Sequence, residues 1–298
     1  MPTPGPPHVD EFTTPTAGSS PAGIVLGPDG NLWFLESEMS RIGMVTPQGV
    51  ITEYPLPSHG RPYIDIAVGS DNAMWFPDGT GQHIGRITTA GTVTEYPLPA
   101  GSEPSSVALG HDGNIWFTEF GRNVIARITP QGQIAEVAHV ASNSGPDGIV
   151  QGPDGNIWFT EYDGSRIGRV TPAGAVTEYK TPTAHAGPVR IIPGPDGALW
   201  FTEFDGGFVG HITTGGTITE LPMKFVEPDG IVVRSGQVWI TEEGADKVDE
   251  ISTTATIITV TLPQAHSGPE QVAIGPANSL WVSEYFGHRI ARVTIPTS

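Results

Sequence analysis

Hydrophobic and polar residues alternate in short runs along the chain, and no stretch keeps the period of an amphipathic helix. The clearest example lies between residues 146 and 180, where four short strands are predicted. We expect strand A at 148–150, strand B at 156–161, strand C at 166–170 and strand D at 175–179. Between them, GPDG (152–155) and PAG (172–174) carry Pro and Gly where tight turns favour them. This pattern predicts one four-stranded antiparallel unit.

The unit recurs along the whole chain of 298 residues. The chain has seven Trp, at spacings of 42, 41, 42, 42, 39 and 42 residues: Trp33, Trp75, Trp116, Trp158, Trp200, Trp239 and Trp281. A period of this length, in strand-rich and turn-rich text, is typical of a propeller with four strands per blade. We therefore predict an all-β, seven-bladed β-propeller that forms a single domain over residues 1–298, with each Trp packed between neighbouring sheets.

Closure of the ring gives a further prediction. No strand D follows strand C in the seventh unit, whereas HVDEF (8–12) resembles strand-D text such as VITEY. We expect residues 8–12 to complete blade 7, which would leave no open sheet edge at the junction.

The charge of the chain limits its partners. The formal net charge is −18, which argues against a nucleic acid or an anionic membrane as partner. Without Cys, the chain has no disulfide, thiolate zinc site or thiol nucleophile. No apolar run is long enough to span a membrane. We expect a soluble monomer, cytoplasmic or secreted with its leader removed, that binds a small-molecule or peptide-like ligand.

An acidic residue follows each Trp by three positions, at the end of strand B. These strand-B acids are Glu36, Asp78, Glu119, Glu161, Glu203, Glu242 and Glu284. Two hypotheses fit them: each caps backbone N–H groups of a nearby loop, or together they form a cation-binding ring at the channel mouth.

The residues that differ between blades are the candidates for function. A Pro precedes strand A in every unit, and the residue after it should point at the channel mouth: Ala22, Tyr63, Ser105, Asp147, Val189, Asp229 and Glu270. Acids are densest in blades 6 and 7, where Glu227, Asp229, Glu270 and Glu284 form a predicted site for Mg²⁺ or Ca²⁺. We expect Asp229, Glu270 and Glu284 to take part in catalysis, with His266 as a proton shuttle.

A second set of residues is predicted to bind the substrate. Blade 5 has Arg190 where three other blades have Gly, and blade 2 has Arg61 and Tyr63. These three side chains, together with Asp147, are suited to hold an anionic or aromatic part of a ligand. The alternative is that each of Arg190, Arg61 and Tyr63 pairs with a ring carboxylate at the channel mouth.

The repeated text GPDGNIWFTE, RIGRV and VTEY resembles the streptogramin B (virginiamycin B) lyase family over almost the whole chain. The resemblance implies a seven-bladed propeller that opens a cyclic depsipeptide antibiotic by elimination across its ester. It also implies Mg²⁺ and a His base near blades 6 and 7. In that chemistry the metal polarises the ester carbonyl and the base removes a proton, so that the ester oxygen leaves.

The chain departs from the family at these positions. The family has His after the Pro of blade 6, where this chain has Asp229. The blade 7 motif Glu-Pro-His is replaced by Gly268, Pro269 and Glu270, and the family's strand-B acid corresponds to Glu284. Both histidines are thus replaced by acids, and a carboxylate acts as a base when burial or like charges raise its pKa.

We therefore expect a lyase-like propeller that binds a divalent metal and a small cyclic ester or peptide-like ligand, with ring-opening elimination as its reaction. Two alternatives remain open. One is a non-catalytic NHL-like propeller that binds a protein or peptide, and the other is a Ca²⁺-dependent lactonase.

Overall fold

The computed structural model describes residues 5–253 and 255–296, which fold into seven four-stranded antiparallel sheets arranged as the blades of a propeller. Strands are numbered in chain order, and within each blade they are called A to D from the channel outwards. Blades 1 to 3 are β2 (Pro21–Leu26), β3 (Leu32–Glu36), β4 (Arg41–Val45), β5 (Ile51–Pro55); β6 (Ala67–Val68), β7 (Met74–Asp78), β8 (His83–Ile87), β9 (Val93–Pro97); and β10 (Pro104–Leu109), β11 (Ile115–Glu119), β12 (Val124–Ile128), β13 (Ile134–His139).

Blades 4 to 6 are β14 (Pro146–Gln151), β15 (Ile157–Glu161), β16 (Arg166–Val170), β17 (Val176–Lys180); β18 (Pro188–Pro193), β19 (Leu199–Glu203), β20 (Phe208–Ile212), β21 (Ile218–Glu220); and β22 (Pro228–Arg234), β23 (Gln237–Glu242), β24 (Lys247–Ile251), β25 (Thr256–Thr261). Blade 7 is β26 (Pro269–Ile274), β27 (Leu280–Glu284), β28 (Arg289–Thr294) and the N-terminal β1 (His8–Thr13). Two short 3-10 turns lie at Glu243–Ala245 and Pro276–Asn278. No helix in the described ranges has the length and apolar character needed to cross a membrane.

The two ends of the chain meet in blade 7. Strand β1 pairs antiparallel with β28, from His8 opposite Thr294 to Thr13 opposite Arg289. The ring of Phe12 stacks on Trp281 with 5.7 Å between centroids. Thus residues 8–12 form the outer strand of blade 7, as the sequence predicted, and β28 has no open edge along this register.

The repeated Trp packs between neighbouring blades, which confirms its predicted role. Trp33 of blade 1 is fully buried in a cluster with Met74 and Phe76 of blade 2. It also stacks on Tyr54 of its own strand D, and its indole N–H donates to Asp29 of the GPDG turn at 3.2 Å. The turn residue thus satisfies the one polar atom of a buried indole.

Strand A of blade 2 departs from the other six. Between Pro62 and Gly69 the chain has one residue more than between Pro21 and Gly27, the corresponding positions of blade 1. The extra residue is absorbed by Ile64, whose φ of +61° is rare for a β-branched side chain. Regular pairing is left only at Ala67–Val68, and the displaced Ile64 carbonyl and Asp65 side chain contact residues of other blades in the channel.

Candidate functional site

A cavity of about 950 Å³, the upper cavity, lies where the A strands begin and the B strands end. Six residues of the predicted site line it: Arg61, Tyr63, Asp147, Arg190, Asp229 and Glu270. Three others do not line it: Glu227, His266 and Glu284. A smaller cavity of about 300 Å³, the lower cavity, lies further along the A strands and shares Arg190 with the upper one.

Arg190 is the centre of the site. Its side chain is buried, with Nε 3.0 Å from Asp229 Oδ1 and Nη2 3.7 Å from Glu270 Oε1. Nη2 also donates to the Ile64 carbonyl at 3.4 Å, so the guanidinium group reaches from blade 5 across the channel to blade 2. Arg190 thus pairs with carboxylates, as one hypothesis expected, and it also lines the cavity, where the other hypothesis has it hold a ligand.

Glu270 and Asp229 are buried acids held beside this guanidinium. Burial and the charge of Asp229 raise the pKa of Glu270 well above its usual range, although Arg190 opposes the shift. Burial raises the pKa of Asp229 as well. Glu270 Oε2 and Arg190 Nη1 are buried atoms without a hydrogen-bond partner among the described residues. An unused acceptor and an unused donor thus belong to two side chains that line the same cavity.

Other carboxyl groups add to the negative charge of the upper cavity. Burial raises the pKa of Asp147 to about 6, and Asp147 accepts a hydrogen bond from the Ser105 hydroxyl. Burial, with the charges of Asp229 and Glu227, raises the pKa of Glu243 to about 7. Altogether six carboxyl groups and two guanidinium groups line the cavity: Glu38, Glu103, Asp147, Asp229, Glu243 and Glu270, with Arg61 and Arg190.

The two rim residues of blade 2 are more exposed. Arg61 Nη1 forms an ion pair with Glu38 Oε2 at 2.7 Å, so Arg61 pairs with a carboxylate of the channel rim. Tyr63 is 51% exposed and offers its ring to the cavity.

The strand-B acids do not form a ring at the channel mouth, so that hypothesis is wrong. All seven are at most 5% exposed, and none of them lines the upper cavity. Capping is confirmed for two: Asp78 accepts from the Gly81 N–H at 2.8 Å and Glu242 from the Val226 N–H at 2.7 Å. Glu119 and Glu161 instead pair with arginines of their own blades.

The three remaining strand-B acids are Glu36, Glu203 and Glu284. Their carboxyl oxygens have no hydrogen-bond partner among the described donors, and burial raises the pKa of each to about 8. Each also lies near a glutamate of its own strand D, which raises the pKa further: Glu53, Glu220 and Glu11 respectively. Glu284 is therefore part of the interior of blade 7 rather than of the cavity wall.

Glu227 and His266 also lie outside the upper cavity. Both are exposed, with left-handed backbones at φ of +52° and +57°. The His266 backbone N–H donates to Asp246 Oδ2 at 2.8 Å. His266 therefore stands in a surface loop, and no contact among the described residues supports its proposed role as a proton shuttle to the acids of blade 7.

The structure reveals a second set of cavity residues that sequence reasoning missed. The residue after each strand-B acid lines the upper cavity in all seven blades: Ser37, Gly79, Phe120, Tyr162, Phe204, Glu243 and Tyr285. Four of these are aromatic, and they form walls in blades 3, 4, 5 and 7. The signal was present in the sequence, because this position varies between blades as strongly as the position after the Pro.

The residues present do not make a divalent-cation site as they lie. Within the described ranges, no three His, Cys, Asp or Glu side chains lie close enough together to hold a metal ion. Asp229 and Glu270 already face the Arg190 guanidinium, while Glu227 and Glu284 lie outside the cavity. The expected Mg²⁺ or Ca²⁺ stays a prediction.

Comparison with known families identifies the scaffold. The model of the virginiamycin B lyase family matches residues 5–141 and 101–297, which together span nearly the whole chain. The chain belongs to the virginiamycin B lyase family. A search of curated proteins gave no match.

Solved structures of family members agree with this membership. A streptogramin B lyase structure is 33% identical with a TM-score of 0.91, and the match covers 97% of this chain and 98% of that one. Virginiamycin B lyase from Staphylococcus aureus is 34% identical with a TM-score of 0.90, covering 97% of this chain and 100% of that one. A catalytically inactive histidine-to-alanine variant of the same lyase, solved with quinupristin, matches equally well. These matches do not favour the NHL-like or lactonase alternatives.

Proposed function

We propose that this member of the family opens a cyclic ester by elimination, with Glu270 as the base. The observation that carries the proposal is the state of the Glu270 side chain. It lines the upper cavity, its Oε2 atom has no partner among the described residues, and its pKa is raised well above the usual range. A general base is most effective when its pKa lies near the working pH.

The proposed reaction balances without an added reactant. The Glu270 carboxylate takes the proton from the carbon α to a carbonyl, and the electron pair of that C–H bond forms a Cα=Cβ double bond. The Cβ–O bond breaks, and the ester leaves as a carboxylate. Glu270 then releases its proton to solvent, so the product has the same mass as the substrate.

The size and walls of the cavity favour a macrocyclic substrate. A volume of about 950 Å³ lies at the upper end of the usual range for small-molecule sites. Phe120, Tyr162, Phe204 and Tyr285 offer apolar surface to hydrophobic side chains of a cyclic peptide. Quinupristin, present in the solved structure of a relative, is the first compound to test.

The test is incubation of the protein with quinupristin, followed by chromatography and mass spectrometry. We expect a product of shifted mobility and unchanged mass. Addition of one water would instead indicate a lactonase, and an unaltered compound would remove it as a substrate.

Two matched variants test the role of Glu270. We expect Glu270→Gln to lower kcat by about 100-fold or more, the usual scale of general-base catalysis. Glu203→Gln makes the same chemical change at a buried acid outside the cavity and should retain kcat. Full turnover by Glu270→Gln would refute the assignment of the base.

A further inference from the structure

We propose that Arg190 supplies the positive charge for this ring opening by binding the carboxylate that leaves, so that the elimination needs no divalent cation. This inference rests on the proposed function and adds a second catalytic residue to it.

The first observation is where Arg190 lies. Its position in strand A is occupied by Gly23, Gly148 and Gly230 in three other blades, so blade 5 projects a long side chain where those blades leave space. Arg190 lines both the upper and the lower cavity, and the residue is only 4% exposed. A cation is thereby fixed in the channel, in a site of low exposure where electrostatic interactions are strong.

The second observation is that this guanidinium group has bonding capacity to spare. Nη1 is buried and has no hydrogen-bond partner among the described residues, although it belongs to a side chain that lines the cavity. A guanidinium group matches a carboxylate better than any other side chain, because its N–H donors form a planar fork. The group that leaves in the elimination is a carboxylate.

The third observation concerns the residue before the Pro of blade 7, where the family motif has Glu and this chain has Gly268. The backbone there is left-handed, with φ of +59°. Glu103 and Glu227 hold the same position in blades 3 and 6 with φ of +46° and +52°. A Cβ at Gly268, however, would overlap Phe286 Cδ2, so a Glu there would require the Phe286 ring to move. This chain therefore has no carboxylate at this position and holds the Phe286 ring against it, while Arg190 faces the two acids of blades 6 and 7.

Together these observations assign a role to each of three side chains. Glu270 takes the α-proton, the electron pair of the C–H bond forms the Cα=Cβ double bond, and the electron pair of the Cβ–O bond stays on the departing oxygen. Arg190 donates hydrogen bonds to the carboxylate as that charge develops. Asp229, 3.0 Å from Arg190 Nε, holds the guanidinium group in place and acts as a positioning residue.

The kinetic test compares Arg190→Gly, the residue that three other blades carry, with Arg234→Gly. Arg234 is a second buried arginine of a strand A that lines neither cavity. With quinupristin as substrate, we expect Arg190→Gly to lose about 100-fold to 1000-fold in kcat, the scale seen when one charge-stabilising donor is removed. Added guanidinium ion should restore part of the loss, which a purely structural defect would not allow. Arg234→Gly should keep kcat within about threefold.

The metal test uses the wild-type protein. Ring opening should continue in excess EDTA, and crystals soaked in Mn²⁺ should show no anomalous peak between Asp229 and Glu270. Activity that EDTA abolishes, such a Mn²⁺ peak, or an unchanged kcat in Arg190→Gly would overturn the inference and leave ring opening by Glu270 standing. A wild-type protein that opens no ester would refute the proposed function and, with it, the role of Arg190.

Discussion

Glu270 and Arg190 face the same cavity, but their surroundings affect them in opposite ways. Burial favours the neutral form of the Glu270 carboxyl group, and the negative charges of Asp229 and Asp147 add to that preference. Four carboxyl groups around Arg190 instead raise its pKa, so it remains a cation. The result is a base whose proton is lost only at raised pH, with Oε1 3.7 Å from a nitrogen of a permanent cation.

This arrangement predicts the pH dependence of the reaction. Since Glu270 acts only after it loses its proton, kcat/KM for ring opening should rise with pH, with a midpoint well above that of an ordinary carboxyl group. Asp147→Asn should move the midpoint to lower pH, because it removes a negative charge that raises the pKa of Glu270. Rates measured from about pH 5 to about pH 9 give the midpoint directly.

Asp154→Asn is the control for this prediction. It makes the same change in the same blade, at the outer turn where Asp154 accepts from the Trp158 indole N–H at 3.0 Å. Its midpoint should match the wild type. If the midpoint did not move in Asp147→Asn, Glu270 would not be the group whose ionisation limits the rate.

At the scale of the strand, local pattern was enough to locate the elements. Strand C of blade 4 was predicted at 166–170 and is found there, and the other strands of that blade shift by one or two residues at their ends. The shift in strand A has a physical cause: Pro146 pairs with Glu161 and a bulge follows it, so the strand begins earlier than its apolar run. The turn residues and the alternation of hydrophobic and polar positions in the sequence do not predict such a bulge.

The N-terminal strand gives a prediction at this scale. Phe12 stacks on Trp281 much as Tyr54 stacks on Trp33, at 5.7 Å and 5.4 Å between centroids. Phe12→Ala should therefore lower the free energy of unfolding by about 1.5–3 kcal/mol, the value of burying one large side chain. Urea unfolding followed by Trp fluorescence measures it.

The matched variant is Tyr54→Ala, which makes the corresponding change in an internal blade. If β1 closes blade 7 as an internal strand D closes its own blade, the two variants should lose similar stability. A loss in Phe12→Ala below about 0.5 kcal/mol, the range of ordinary surface changes, would mean that β1 contributes little to closure.

The site was harder to predict than the strands because it is assembled from different blades. The residue after the Pro lines the cavity in six of the seven blades, among them Asp147, Asp229 and Glu270, whereas Ala22 of blade 1 does not. Sequence spacing could not show that Arg190 crosses the channel, because its contact with Ile64 depends on the extra residue in blade 2. Nor could it show that Glu284 turns into its own blade, because periodicity does not report whether the end of a sheet is covered.

At the scale of the whole molecule, the propeller holds several carboxyl groups away from water. Glu36 and Glu203 are fully buried, and the pKa of each is raised to about 8, mainly by burial and then by Glu53 and Glu220. Near neutral pH these groups keep their protons in the folded state. In the unfolded chain they would titrate near the ordinary value of 4.5.

Stability should therefore fall as pH rises through the neutral range. A carboxyl group whose pKa is raised by folding contributes its full stabilising effect below the unfolded value and loses it as pH approaches the folded value. Between about pH 4.5 and about pH 8 the unfolded chain has lost these protons while the folded protein still holds them, so rising pH lowers the free energy of unfolding. The urea midpoint of the wild type should decrease over this interval.

The double variant Glu36→Gln and Glu203→Gln separates this effect from the general repulsion of a chain with net charge −18. Gln resembles the protonated acid and cannot ionise, so the variant should be more stable than the wild type at about pH 9 and should show a flatter pH dependence. Asp196→Asn is the opposite control. Hydrogen bonds to its carboxylate hold the pKa of Asp196 below the usual value, so this variant should lose stability by the same amount at about pH 6 and at about pH 9. A double variant as pH-sensitive as the wild type would show that Glu36 and Glu203 are ionised in the fold, with partners other than those seen here.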